Sequence, residues 1–267
     1  GDVESVSRVA HMRAAAEAVL GVLREAGHEA YFAGGSVRDL VMRQEPNDFD
    51  IATSARPEEV TTLFPRTVAV GAAFGVIIVL RDGFEFEVAT FRSDGAYLDG
   101  RHPTSVHFST AEQDVARRDF TINGLLYDPV ARRVIDYVGG EADIAARVVR
   151  SIGDPRSRFG EDRLRMLRAI RFAVRLDFQI EDDTWAAVQE LAPAIHDVSA
   201  ERIRDELLKL LKGPTPARAL ELLDASGLLA EVLPEVAACK GVAQPPEYHP
   251  EGDVFVHTAL ALDALQP

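Results

Sequence analysis

Two short stretches decide the fold of this 267-residue chain: Ala33-Gly34-Gly35-Ser36-Val37-Arg38-Asp39 and Asn47-Asp48-Phe49-Asp50-Ile51. The first is a glycine turn between a short apolar run and a helical pattern, and the second carries two carboxylates two residues apart. Residues two apart on a strand share a face. We therefore expect Asp48 and Asp50 to point together into a cleft, while the apolar residues between and after them face a core.

The paired carboxylates predict a metal site. Two carboxylates so close repel each other unless a cation or water lies between them. Carboxylate oxygens suit Mg²⁺, which often bridges protein carboxylates and substrate phosphates. We expect Asp48 and Asp50 to bind Mg²⁺ and to take part in nucleotidyl transfer, although an isolated pair of this spacing is also common on solvated strand ends.

The glycine turn predicts a phosphate site. Glycine lets the backbone approach a phosphate, and a helix N-terminus offers unpaired N–H groups and a positive dipole end. Arg38 can add a charged fork. The turn is neither a Walker loop nor a Rossmann fingerprint, and an ordinary tight turn accounts for the same residues when they are taken alone.

A hairpin signal further along the chain brings in a third carboxylate. Asp82-Gly83 separates two apolar runs, at residues 75–81 and 84–92, and favours a tight turn between strands. Glu85 and Glu87 alternate with apolar residues and so share an open face. Either of them can complete a metal site, and a solvated outer face explains Glu85 equally well.

Two arginine-rich stretches predict contacts to a nucleotide. Arg117-Arg118-Asp119-Phe120-Thr121-Ile122-Asn123 combines guanidinium groups, which suit phosphate oxygens, with polar groups that suit ribose hydroxyls. The stretch 161–172 places an aspartate and three arginines at three-residue steps along one side of a predicted helix. These four residues are Asp162, Arg165, Arg168 and Arg171.

An aspartate and an arginine one turn apart can read a nucleobase edge. The carboxylate accepts from an exocyclic amine and the guanidinium donates to a ring nitrogen or carbonyl. Cytosine and adenine offer that amine, whereas uracil and guanine present a carbonyl there. The stretch thus predicts a protein template that selects C and A, and a salt bridge on a solvated helix is the alternative.

Composition limits the class of protein. A net charge of −14 argues against a general nucleic-acid binder, because phosphate contacts need Lys and Arg. The single cysteine, Cys239, excludes an internal disulfide and suits a reducing compartment. The apolar runs are too short to cross a membrane and no signal peptide is visible, so we expect a cytoplasmic protein without a membrane partner.

The pattern of elements predicts an α+β fold. Strands joined by hairpins as well as by crossovers predict a mixed, mostly antiparallel sheet over residues 1–150. After about residue 153 the pattern is helical throughout, at 157–175, 182–193, 199–212, 215–226 and 229–236. We expect a head at 1–150, a helical neck at 151–212 and a helical body at 213–267.

Taken together, four motifs in order resemble the class II tRNA nucleotidyltransferase and bacterial poly(A) polymerase family, within the polymerase-β-like nucleotidyltransferases. They are the glycine turn, Asp48-Phe49-Asp50, residues 117–123 and residues 161–172. The resemblance implies Mg²⁺ on Asp48 and Asp50 with Glu87 as the third catalytic carboxylate. The nucleotide-binding residues it implies are Gly34, Gly35, Ser36, Arg38, Arg118, Asp119, Asn123, Asp162, Arg165, Arg168 and Arg171.

The resemblance also implies roles for three other segments. Glu161 would orient Arg165, and Asp99-Gly100-Arg101 resembles a loop used in the passage from C to A addition. Residues 249–258 resemble the opening of an HD phosphohydrolase domain, with His257 as its first metal ligand. The rest of that domain's ligand set is absent, so we expect no HD activity.

The family implies an enzyme that adds C and A, from CTP and ATP, to the 3′ end of tRNA. Ala72-Ala73 stand ahead of Phe74, where poly(A) polymerases carry a basic run, which favours the CCA-adding and A-adding branches. An A-adding enzyme of a split system and a poly(A) polymerase remain alternatives. A catalytically silent RNA-binding module is the alternative from a different class.

Overall fold

A computed structural model of the chain describes residues 2–94 and 106–239. These residues form two compact units, one of residues 2–94 with 106–146 and the other of residues 147–239. The predictions for Asp99-Gly100-Arg101 and for the HD-like stretch with His257 lie outside the described residues. No helix among the described residues is long and apolar enough to cross a membrane.

The first unit is built around one sheet with helices packed on it. Its elements in chain order are α1 (Asp2–Glu25), β1 (Ala30–Ala33), α2 (Gly35–Val41), β2 (Asp50–Thr53), α3 (Pro57–Leu63), β3 (Thr67–Gly71), β4 (Val76–Arg81), β5 (Phe84–Thr90), β6 (Arg92–Asp94), β7 (Val106–Phe108), α4 (Ala111–Ala116), β8 (Leu125–Asp128), β9 (Arg133–Asp136) and α5 (Gly140–Ala146).

The main sheet is mixed and mostly antiparallel, as the sequence predicts. Its seven strands lie in the order β3-β4-β5-β2-β1-β8-β9. All neighbouring pairs are antiparallel except β2 and β5, which run parallel with Ile51 opposite Val88. The two strands that carry the predicted carboxylates are therefore neighbours at the centre of the sheet.

Local sequence explains why these strands form. Asp82 and Gly83 both have positive φ, 51° and 81°, which is the backbone of a tight two-residue hairpin turn between β4 and β5. In β5 the burial alternates, with Phe86 and Val88 buried and Glu87 exposed. Glu87 therefore stands on the open face of the sheet while the apolar residues face its core.

The second unit is helical apart from one strand pair. Its elements in chain order are β10 (Val148–Val149), α6 (Pro155–Glu161), α7 (Leu164–Leu176), β11 (Gln179–Ile180), α8 (Asp182–Leu191), α9 (Ala200–Leu211), α10 (Pro216–Ser226), α11 (Leu228–Val232) and α12 (Pro234–Ala238). The two short strands pair in parallel. The prediction of an entirely helical pattern after residue 153 missed β11.

The predicted single helix at 157–175 is wrong in one respect, because the structure has two helices there, α6 and α7, with a short non-helical segment between them. Asp162 has extended backbone dihedrals, φ −149° and ψ 107°. Its carboxylate accepts a 3.1 Å hydrogen bond from the Leu164 N–H and so caps the start of α7. Asp162 thus lies before the helix that carries Arg165, Arg168 and Arg171, and not on its side.

Candidate nucleotide and metal site

Asp50 lies at the start of the central strand β2, between the glycine turn and β5. It pairs with Ala33 of β1, the residue before Gly34. On its other side it directly precedes Ile51, which pairs with Val88, the residue after Glu87. Since β2 and β5 are parallel, Asp50 and Glu87 stand side by side, and Asp48 is exposed just before the strand.

The surroundings of Asp50 disfavour its charged form. Its burial raises its pKa from an ordinary value of 3.8 to about 7, and the negative charges of Glu87 and Asp48 act in the same direction. The positive charge of Arg118 acts in the opposite direction. A cation placed here would offset both the repulsion and the loss of hydration, so the carboxylates fit a divalent metal.

The geometry fits an ion that completes its coordination with other ligands. Among residues 2–94 and 106–239, no three His, Cys, Asp or Glu side chains lie close enough together to hold a metal ion. Mg²⁺ commonly takes one or two protein carboxylates together with water and substrate phosphates. The parts of Asp48 and Asp50 as metal ligands, and of Glu87 as a third carboxylate, stay predictions.

The glycine turn lies directly beside Asp50. Gly34 has φ 74° and ψ −143°, a conformation that a side chain would strain. A Cβ at this position would lie 3.6 Å from Arg118 Nη1 and 4.0 Å from Asp50 Oδ2. Gly34 therefore keeps open the space between the carboxylate and the guanidinium.

Ser36 and Arg38 face the protein rather than that open space. Ser36 Oγ donates to the Ala33 carbonyl at 3.1 Å, which ties the first turn of α2 to β1. Arg38 is buried, and its Nη1 donates to Asn123 Oδ1 at 2.8 Å. Asn123 Nδ2 in turn donates to Asp119 Oδ1 at 3.3 Å. The structure thus joins three of the predicted nucleotide-binding residues, Arg38, Asp119 and Asn123, into one buried network.

Asp114 is the residue of this site that the sequence analysis missed. It is 1% exposed and receives hydrogen bonds from Arg117 Nη2 at 3.0 Å, from Arg118 Nη2 at 3.1 Å and from the Arg92 N–H at 3.0 Å. Burial alone would raise its pKa, but the charges of Arg117 and Arg118 and the Arg92 N–H hold that pKa below its usual value.

Asp114 leaves part of Arg118 available. Arg118 Nε is buried and makes no hydrogen bond within the described residues. The atom of this guanidinium next to Gly34 is Nη1, and an N–H that faces the turn suits an anionic oxygen. Asp114, three residues before Arg117 and four before Arg118 on the same helix end, was detectable as an i, i+3 and i, i+4 partner of two arginines.

In the second unit, the predicted base-reading pair is held by partners of its own. Asp162 receives two hydrogen bonds from Arg202 of α9, at 3.2 Å and 2.9 Å. Arg165 Nη1 donates to Glu161 Oε2 at 2.8 Å, and Arg158 binds the same carboxylate at 2.8 Å. The expected orientation of Arg165 by Glu161 is present, while Arg202 and Arg158 escaped the sequence analysis.

The other two predicted nucleotide-binding arginines of α7 have different surroundings. Arg168 stacks on Phe172, with its guanidinium carbon 5.1 Å from the ring centroid. Arg171 is buried, pairs with the buried Glu206, and lies 4.7 Å from the same ring. Burial lowers the pKa of Arg171, although Glu206 opposes that shift. A contact from Arg171 to a nucleotide stays a prediction, because this guanidinium already pairs with Glu206.

The first unit has the features of a polymerase-β-like nucleotidyltransferase head. They are a mixed sheet with paired carboxylates, an open glycine turn beside the carboxylates, and an arginine next to that turn. Comparison with known families agrees. Residues 30–150 match the family described as "Poly A polymerase head domain", and residues 177–240 match "Probable RNA and SrmB- binding site of polymerase A". The chain belongs to the class II tRNA nucleotidyltransferase and bacterial poly(A) polymerase family.

Curated relatives and solved structures resemble the chain over most of its length. A CCA-adding enzyme of Geobacillus sp. (strain WCH70) is 44% identical over 211 residues, which are 79% of this chain and 52% of the relative. The Bacillus stearothermophilus CCA-adding enzyme in complex with CTP is 42% identical, with a TM-score of 0.74, over 80% of this chain and 52% of that one.

A more distant structure shows the same fold. The Thermotoga maritima CCA-adding enzyme complexed with tRNA is 27% identical, with a TM-score of 0.68, over 85% of this chain and 52% of that one. The chain therefore spans about half the length of the relatives it matches. Nucleotidyltransferases of this family generally use a divalent metal.

Proposed function

We propose that this chain carries the catalytic part of a tRNA 3′-end nucleotidyltransferase, which adds C and A from CTP and ATP without a nucleic-acid template. One observation carries the proposal: Asp50, whose pKa is raised to about 7, stands beside an open glycine turn and Arg118, whose Nη1 lies next to Gly34. Cation-binding and anion-binding groups thus meet at one point, as transfer from a metal-bound triphosphate requires.

In this reaction the 3′-hydroxyl of the RNA attacks the α-phosphate of the nucleotide, and pyrophosphate leaves. Asp48 and Asp50 would hold Mg²⁺, whose charge lowers the pKa of the attacking hydroxyl and stabilises the leaving group. Glu87, beside Asp50 on the open face, would act as the third carboxylate.

The anion side of the site would bind the triphosphate. Gly34 and Gly35 leave room for phosphate oxygens, and Arg118 would donate to them from a position fixed by Asp114. Ser36 would hold the turn through its bond to Ala33. Arg38, tied to Asn123, would place Asp119 and Asn123 near the ribose rather than contact phosphate itself.

The base would be selected by Asp162 and Arg165. Their carboxylate and guanidinium offer an acceptor and a donor, which match C and A and oppose U and G. Arg168 and Arg171 would support this selection from the same helix. The Bacillus stearothermophilus CCA-adding enzyme was solved in complex with CTP, and this likeness supports a pyrimidine nucleotide as one substrate.

The proposal extends to the cellular compartment of the protein and to the boundaries of its domains. A tRNA-modifying activity and a single cysteine suit the cytoplasm. The head at 1–150, neck at 151–212 and body at 213–267 stay predictions, with the head carrying the metal and the neck the base-reading pair.

Labelled nucleotides offered to defined acceptors test the proposal. The protein with Mg²⁺ receives CTP, ATP, UTP or GTP and a tRNA ending at the discriminator base, at C or at CC. We expect CTP incorporation on the first two acceptors and ATP incorporation on the third. ATP use on the CC end alone would indicate an A-adding enzyme, and long A tails on any RNA would indicate a poly(A) polymerase.

Variants separate the catalytic carboxylates from their surroundings. Asp48→Ala and Asp50→Asn should abolish incorporation, and Glu87→Gln should reduce it by a factor of about 100 or more. Glu85→Gln, an exposed carboxylate two residues away on β5, is the matched control and should retain activity. Full activity in Asp48→Ala, or no incorporation by the wild-type chain with any nucleotide, would contradict the proposal.

A further inference from the structure

An exposed aromatic ring lies opposite a residue that lines the cavity around Asp50. Phe108, the last residue of β7, is 41% exposed, although a ring of this size normally gains from burial. We propose that it is a stacking platform for the unpaired terminal base of the RNA that receives the nucleotide. The inference rests on the proposed function and assigns a subsite for its acceptor.

Strand pairing places the ring next to the site. Phe108 lies opposite Arg92 in the antiparallel pair β6–β7. Residues directly opposite each other in such a pair send their side chains to the same face. Arg92 lines a cavity of about 190 Å³ together with Asp50, Glu87 and Arg118. Phe108 therefore neighbours, through Arg92, the lining of the cavity where the attacking hydroxyl would arrive.

Two neighbours fix the ring in place. Gly75 has φ 85°, and a Cβ at that position would lie 3.2 Å from Phe108 Cε1, so the absence of a side chain lets the ring edge approach the backbone. The guanidinium carbon of Arg56 lies 5.5 Å from the ring centroid. A ring held at its edge and by one cation loses little freedom when a base stacks on it.

The surrounding charge indicates which ligand the ring takes. Arg56 lies over the aromatic ring and Arg92 stands opposite it in the strand pair, and an aromatic platform near guanidinium groups is typical of single-stranded nucleic-acid sites. The proposed reaction brings the 3′ end of an RNA to the Asp50 cavity, so the ligand that we assign to the ring is this acceptor strand.

The experiment uses the full chain with a tRNA whose 3′-terminal base is 2-aminopurine, a fluorescent base that is quenched by stacking. The variants are Phe108→Leu, which removes the ring, and Phe108→Trp, which keeps it. Tyr137→Leu is the matched control, since Tyr137 is a comparably exposed ring, 47%, just after the opposite edge strand β9.

We expect Phe108→Leu to lose the quenching and to raise the KM for tRNA roughly tenfold or more, the effect of losing one base–aromatic stack. The kcat at saturating tRNA and the Kd for CTP should stay at the wild-type values, which also shows that the variant is folded. Phe108→Trp and Tyr137→Leu should keep both the quenching and the KM.

Three outcomes would overturn the inference. One is wild-type quenching and KM in Phe108→Leu, and another is an equal loss in Tyr137→Leu. The third is a raised Kd for CTP with an unchanged KM for tRNA, which would assign the ring to the nucleotide instead. A wild-type chain that binds tRNA but incorporates no nucleotide would refute the proposed function and not this one.

Discussion

Replacing Asp114 by Asn should destabilise the first unit by about 3 kcal/mol. The carboxylate is 1% exposed and neutralises Arg117 and Arg118, so the amide would leave these guanidinium groups without their counter-charge. Removing one partner of a buried ion pair costs ~3–5 kcal/mol. The two arginine side chains are each 21% exposed and keep some hydration, which favours the lower end of that range.

Urea unfolding followed by circular dichroism measures this cost, with Glu112→Gln on the same helix α4 as the matched control. Because the pKa of Asp114 is lowered, its stabilisation is present at neutral pH and is lost as pH falls through that depressed pKa. The difference in the free energy of unfolding between wild type and Asp114→Asn should therefore become smaller in acid. A cost below about 1 kcal/mol at pH 7, or a difference that becomes larger in acid, would refute this reasoning.

Three further predictions follow from other parts of the structure. With a chelator present, the free energy of unfolding should fall by about 2 kcal/mol between pH 5 and pH 8, because Asp50 has its pKa raised to about 7 and favours the protonated form. Urea titrations should show a weaker pH dependence for Asp50→Asn. A wild-type free energy of unfolding that rises with pH would contradict this. Arg202→Met removes the bidentate partner of Asp162 and should raise UTP misincorporation relative to CTP roughly tenfold in single-turnover assays, unless that pair has no part in base choice. Gly140→Ala would place a Cβ 2.2 Å from the Thr121 carbonyl oxygen and should cost about 2 kcal/mol or more, seen as a lower Tm, whereas an unchanged Tm would show that the backbone can move apart.

The sequence predicted the α+β class, the mixed sheet and most element types, because those depend on local patterns. The alternation in β5 and the Asp82-Gly83 turn each specify their structure within a few residues. The break at Asp162 was missed because helix-forming residues stand on both sides of it and no proline marks the boundary. An aspartate ahead of a helical run can accept from the first backbone N–H groups of the helix, as Asp162 does from the Leu164 N–H.

The candidate site was predictable in its residue types and less so in its contacts. Gly34 beside Asp50 follows from a strand register that no local pattern reveals. Arg171 pairs in the interior with Glu206, which is 35 residues away in the sequence. Arg202 donates hydrogen bonds to Asp162, which is 40 residues away. Such pairs depend on how helices pack, so a stripe of arginines on one helix could not show which of them are engaged.

The hydrogen bond between Arg38 and Asn123 can form only after the ribosome has made the long segment between them. The two residues are 85 positions apart, and a ribosome that makes 5–20 residues per second needs roughly 4 to 17 s to pass from one to the other. During that interval β8 has not been made, so one edge of β1 has no neighbour and Arg38 has no Asn123 amide to bind. Translation speed between these codons therefore controls how long an open strand edge is exposed, and slow codons there would favour aggregation of the nascent chain.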